Sequence, residues 1–160
     1  MQADAVAELF VGRVGAPLDA LGVRLTFTAL AVVMAQTFIA VPLFVRAAVI
    51  GFAAVEPELE DAAAIDGANG WQVFRHISLP LARRSLLTGV ALAWARALGE
   101  FGATILFAGN LPGRTQTMPL AIYLGFELDM GVAVALSVIL VGVSFGVLLL
   151  IRGVLGRGEE

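Results

Sequence analysis

Residues 60–80 read EDAAAIDGANGWQVFRHISLP, a polar passage set between runs made for lipid. Pro57, just upstream, suits the first turn of a helix, where its missing N–H has no partner to lose. Glu58, Glu60 and Asp61 follow and place negative charge at the positive end of the helix dipole. Gly67 stands where that helix should end, because glycine adopts the left-handed backbone of a C-terminal cap without a Cβ clash. Asn69 is a good N-cap for a second helix, with Gln72 three residues on in capping-box position. Trp71, Phe74 and Ile77 share one face of that helix, and Pro80 is expected to stop it. The passage predicts helix, tight turn, helix, then re-entry into an apolar segment. Spacing alone fits two uses, an amphipathic hairpin lying on lipid headgroups or a surface gripped by another protein.

Composition sets the class around this passage. The chain has 160 residues, 59% hydrophobic and 14% charged, whereas soluble domains run nearer half apolar and about a quarter charged. A net charge of −3 points to neither nucleic acid nor an anionic lipid surface as partner. Every basic residue is an arginine, so the lysine that a P-loop sends to nucleotide phosphates is absent. With no cysteine and a single histidine, His76, the sequence excludes Cys/His metal sites, disulfides and Cys–His nucleophiles. No cofactor site is expected in this chain, and no nucleophile–base set argues for a membrane enzyme.

Roughly 20 apolar residues at about 1.5 Å each cross a bilayer core. Residues 25–45 form an uncharged run of 21, with Pro42 expected to bend it near one end, and residues 131–151 form a second run of 21. Between them, residues 85–108 would span if Arg96 and Glu100 were tolerated. About nine large apolar side chains there contribute roughly −4 to −5 kcal/mol, which a central Arg and an acid at about +2.5 to +3.5 each nearly cancel. This middle span is marginal alone, so it should face other helices or water, with Gly89, Ala93 and Ala97 as a small-residue packing face.

The expected architecture is an all-α membrane protein with three spans in residues 25–152, a polar loop at 56–80, an external segment at 1–24 and a cytoplasmic tail at 153–160. The external segment is too short and too charged to span, is broken by Gly and Pro, and lacks the pattern of a signal peptide. Arg46, Arg75, Arg83, Arg84, Arg152 and Arg157 gather on the side of the middle loop and C-terminus, against Arg13, Arg24 and Arg114 opposite. Arginine asymmetry therefore puts the loop and C-terminus in the cytoplasm of a multi-pass inner-membrane protein.

The loop resembles the signature of ABC-importer permeases: EAA, three residues, Gly, nine residues, Ile, one residue, Leu-Pro. Here Asp61, Ala62 and Ala63 are followed by Gly67 at the family gap, and Ile77, Leu79 and Pro80 fall at the family distance beyond. Asp61 stands where the family usually has Glu, with Glu60 beside it, which amounts to a shortened acid. The resemblance implies a type I importer permease fold in which this loop fits a groove on a cytoplasmic ATPase subunit and transmits its closure. ATP and magnesium would then belong to that partner.

Residues 95–123, ARALGEFGATILFAGNLPGRTQTMPLAIY, closely resemble the molybdate-type permeases, with sulfate and tungstate permeases as near relatives. The pieces that carry it are Gly99 to Gly102, Gly109-Asn110 with Pro112-Gly113, and Thr115 to Thr117 with Pro119. This implies an importer of molybdate or a related oxyanion, working as a homodimer fed by an external binding protein. About six spans are then expected where three are seen; a fragment, a split gene and a truncation all fit, as does a non-transporting membrane scaffold or remnant. Arg96 and Glu100, four apart, suit either an internal packing pair or a polar element of the pathway or its gate. Packing is preferred, because a carboxylate lining would repel an oxyanion, and Thr104, Thr115 and Thr117 are better neighbours for one. Met118 to Phe126 reads as a short apolar helix on the outer face, serving either as an interfacial anchor or in an external gate.

Overall fold

The computed structural model describes residues 26–156, so the expected external segment 1–24 and residues 157–160 lie outside the described residues. Every regular element among the described residues is a helix. In order they are α1 (Ala29–Ala53), α2 (Pro57–Ile65), α3 (Gly70–Val73), a π turn (Phe74–Ser78), α4 (Leu79–Leu98), α5 (Gly102–Ala108), α6 (Met118–Leu128) and α7 (Met130–Gly156).

Two helices, Ala29–Ala53 and Met130–Gly153, are long and apolar enough to cross a membrane, and a third crossing exists only if a bent pair of helices counts as one. In the most apolar stretch of the last helix 0% of residues are buried, and 11% in the first, so their side chains face outward onto lipid or other helices. α1 starts later than the uncharged run because Thr28 caps it, its Oγ1 accepting from the Ala31 N–H at 3.3 Å. It then runs on to Ala53 with Pro42 and Arg46 inside it, since no breaker follows until Pro57. α7 likewise continues past Ile151 to Gly156. The expected middle span at 85–108 passes as a span only as a broken one: the helix stops at Leu98 and restarts at Gly102.

The chain divides into two compact units. One holds Phe38–Leu98 and the described residues from Ile139 on. Its tightest packing joins α1 to α4 through small residues. A Cβ on Gly51 would lie 2.5 Å from Ser85 Cβ, and one on Gly89 would lie 2.8 Å from Ala47 Cβ. Ala47 and Gly51 are one turn apart on α1, as are Ser85 and Gly89 on α4, so the backbones meet along a small-residue seam. The expected face of Gly89, Ala93 and Ala97 is thus shifted toward the start of α4, where Ala82 is also buried.

The other unit holds Gly99–Val138 with the described residues up to Thr37. Its interior is made of small and polar residues: Ala31, Ala35, Thr104, Ala108, Thr115, Leu120 and Ala133 are buried, with Leu120 the one large apolar side chain fully enclosed among the described residues. α6 and α7 meet in a close turn. Asp129 Oδ1 accepts from the N–H groups of Gly131 at 2.9 Å and Val132 at 3.3 Å, and a Cβ on Gly125 would sit 3.0 Å from Ala133 Cβ.

Candidate functional site

The polar passage folds as its residues dictate. Pro57 opens α2 and Glu58 and Glu60 occupy its first turn. At its end the Ala68 N–H donates to Ala63 C=O at 3.0 Å and the Gly67 N–H to Ala64 C=O at 3.1 Å, the paired closure of a Schellman cap. Gly67 takes φ +92°, and a Cβ there would meet nothing within 4 Å, so glycine is needed for its backbone angle and not for space. Two signature positions, Ala63 and Gly67, are thereby joints of one cap. Asn69 then caps α3 reciprocally: its Oδ1 accepts from the Gln72 N–H at 3.0 Å, while Gln72 Oε1 accepts from the Asn69 N–H at 2.8 Å.

Pro80 does not stop the second helix, contrary to expectation. The ladder widens for one π turn, with the Leu79 N–H donating to Phe74 C=O, and passes straight into α4. Resetting the ladder there places Pro80 in the first turn of α4, where a missing N–H costs least. The second loop helix and the following span are consequently one continuous helical path from Gly70 to Leu98.

Two of the side-chain contacts that hold the loop are between residues far apart in sequence. Ser78 Oγ donates to Glu60 Oε1 at 2.6 Å, tying the π turn to α2. Phe74 stacks on Phe52 of α1 at 5.9 Å between centroids and on Trp71 at 5.6 Å. Ser78 is buried, Glu60, Ala63 and Ile77 are half-buried, and Asp61, Ala62, Gly67, Leu79 and Pro80 are exposed. Beyond them stands an apolar surface that no described residue covers, with Ile65 at 85% and Trp71 at 66% exposure. Glu60 and Gly67 were marked by the sequence. Ser78 and Phe52 were not, because their partners are 18 and 22 residues away and no local pattern announces them.

The stretch at 95–123 is built of joints. Gly99 to Phe101 form the break between α4 and α5, so Glu100 lies beyond the end of the helix that carries Arg96 and the two do not share one helical face. Arg96 is exposed on α4, whereas Glu100 is buried, and its Oε1 accepts from the Ala103 N–H at 2.8 Å, closing the open end of α5. Gly109 ends α5 at φ +70°, with a Cβ position 2.9 Å from the Phe27 ring. Gly113 takes φ +75° in the next turn, where Thr115 Oγ1 accepts from the Leu111 N–H at 3.1 Å. Asn110 Nδ2 donates to Leu120 C=O at 3.4 Å, and Phe101 meets Tyr123 edge-on at 5.3 Å. Pro119 stands in the first turn of α6. Thr104 and Thr115 are buried, not solvated loop hydroxyls, and the oxygens Thr104 Oγ1, Asn110 Oδ1 and Thr117 Oγ1 are buried without a hydrogen-bond partner.

Residues 9–154 match the family described as binding-protein-dependent transport system inner membrane component. The chain belongs to that family. Its matched residues include both the capped loop and the jointed stretch, so the type I importer permease fold accounts for a loop helix that continues into a span. A putative molybdenum transport system permease protein, YvgM of Bacillus subtilis (strain 168), is 52% identical over 129 residues, covering 79% of this chain and 56% of the relative. The molybdenum transport system permease protein ModB of Mycobacterium tuberculosis (strain ATCC 25618 / H37Rv) is 42% identical over 134 residues, covering 84% and 51%. A probable sulfate transport system permease protein, cysT of Anthoceros angustus, is 40% identical over 144 residues, covering 89% and 50%. The chain spans about half the length of these curated relatives. Like its family, it is a multi-pass inner-membrane protein.

Proposed function

We propose that this chain carries the energy-coupling part of the membrane subunit of an ATP-driven oxyanion importer, with molybdate as the preferred substrate. The observation that carries the reading is the loop at 56–80: both helices are capped, their apolar face is uncovered, and the second runs unbroken into α4. A separate ATPase, holding ATP and magnesium, would grip Ile65 and Trp71 and move the loop as it closes. The subunit would work as a pair of copies, with an external binding protein delivering the anion. Catalysis of ATP hydrolysis would lie wholly on the partner, since this chain has no lysine for a P-loop.

Molybdate is favoured by the 52% identity to the Bacillus subtilis relative named for molybdenum transport. Sulfate is the second reading, favoured by a relative named for sulfate transport that matches 89% of the chain. Thr104 and Thr117 remain the hydroxyls to test along the path, because each has a buried oxygen with no partner. The deciding experiment is ATP-driven uptake of labelled molybdate by the assembled transporter in proteoliposomes, with sulfate, tungstate and unlabelled molybdate as competitors. Molybdate should compete best. Uptake that follows sulfate alone would overturn the substrate, and uptake without any ATPase subunit would overturn the coupling role.

A further inference from the structure

We propose that Ser78 and Glu60 form a positioning clamp that makes the two loop helices move as one body when the loop is displaced; this rests on the coupling role above. The two helices are joined by a turn of only Asp66 to Asn69, and a turn with a glycine at positive φ is a natural pivot. Without a second tie, α2 could swing about that turn while the helical path from Gly70 stayed still.

The hydrogen bond from Ser78 Oγ to Glu60 Oε1 is that tie. At 2.6 Å it lies in the short range of hydroxyl–carboxylate bonds, which are roughly twice as strong as neutral ones. Its placement matters as much as its length. Ser78 is the last residue of the π turn, the point at which the loop helix becomes α4, and it is 6% exposed. Glu60 lies in the first turn of α2, far along the helix from the Gly67 pivot. A tie near the pivot would leave the far end free, whereas a tie at the far end fixes the angle between the helices. The stack of Phe74 on Phe52 holds the opening of the same π turn against α1. A push on Trp71 or Ile65 therefore reaches α4 through a braced corner. In this account the acid that matters mechanically is Glu60, while Asp61, in the family's signature position, is exposed and left to face the partner.

The test uses the assembled transporter in proteoliposomes and reads two quantities: the anion carried per ATP hydrolysed and the affinity of the ATPase for the membrane subunit. Ser78→Ala and Glu60→Ala should each lower anion per ATP about tenfold, the factor that corresponds to about 1.4 kcal/mol, at the lower edge for a hydrogen bond to a charged group. ATPase affinity should stay within about twofold, because neither side chain belongs to the uncovered face. Ser78→Thr, which keeps the hydroxyl, should recover most of the coupling. The Ser78→Ala/Glu60→Ala double variant should be no worse than either single one. Unchanged coupling in Ser78→Ala, additive losses in the double variant, or equal assembly failure in Ser78→Ala and Ser78→Thr would each overturn the clamp. If the unsubstituted loop fails to bind the ATPase at all, the coupling role itself falls, which is a different result from normal binding with a silent Ser78.

Discussion

Residues 66–69 and residues 99–101 each break a helix within a few positions, but the side chain that caps the helix after the first break is exposed and the one that closes the helix after the second is buried. At the first, Gly67 and Asn69 are exposed, and the caps of α2 and α3 are closed by backbone and amide groups with water as the alternative partner. At the second, the open end of α5 is closed by a carboxylate that is 4% exposed, and the neighbouring Thr104 is 0% exposed. Water is a poor alternative there, so the Ala103 N–H takes its partner from the Glu100 carboxylate within the chain. An exposed break tolerates approximate chemistry because solvent repairs it. A buried one does not, and its residues are held to tighter limits.

The largest expected effect is Gly109→Ala. Its backbone lies in a region that only glycine enters without strain of about 1–3 kcal/mol, and the added Cβ would also displace the Phe27 ring. We expect a loss of about 3 kcal/mol in thermal unfolding of the detergent-solubilised permease, partly recovered by Phe27→Ala. Gly67→Ala at the exposed break should cost about 1 kcal/mol, from its backbone angle alone. Equal costs at the two glycines would mean that crowding by Phe27 adds nothing at Gly109 beyond its backbone angle. Glu100→Ala comes next, at about 1–3 kcal/mol, because it strands the Ala103 N–H in a buried site, while Glu100→Gln keeps an acceptor and should lose under about 1 kcal/mol. Matching losses in the two variants would mean that the buried cap is not the reason Glu100 is there.

Gly67→Leu should cost only about 1 kcal/mol of stability yet lower transport per ATP by a larger factor than that implies. The bulk itself meets open space, so what changes is the angle between two helices that a partner must fit. Normal substrate-stimulated hydrolysis with normal transport would remove Gly67 from the coupling path. The smallest effect belongs to the exposed cap. Asn69→Ala should lose about 1 kcal/mol and Asn69→Gly only a few tenths, read as faster amide exchange at Gln72. A loss at Asn69 as large as that at Glu100 would show that exposure does not set the tolerance.

Much of the loop was legible because its devices are local. Pro57, Gly67, and the Asn69–Gln72 box act within a turn or two, and each formed where its spacing placed it. Pro80 was misjudged because a proline rule for α-helices takes no account of a π turn that resets the ladder before it. That Arg96 and Glu100 do not share one helix was hidden for a related reason: hydropathy over residues 85–108 registers an apolar stretch but not a helix end inside it, although Gly99 and Gly102 are breakers by type. Ser78 carried no signal at all, since a serine among Ile77, Leu79 and Pro80 has meaning only once Glu60 is beside it.

By itself the sequence determined what depends on composition and short range: an all-helical membrane chain, two long apolar spans, and a loop of two capped helices. Those follow from transfer energies and from hydrogen bonds that close within a few residues. Tertiary structure alone decided how the loop is braced, by Ser78 on Glu60 and Phe74 on Phe52, and that its second helix flows into α4. It also decided that Glu100 closes the end of α5 instead of sharing a helical face with Arg96. The physical reason is the same in each case. A contact between residues far apart in the chain is chosen by which surfaces meet after the helices pack, and periodicity along one helix carries no record of its neighbour.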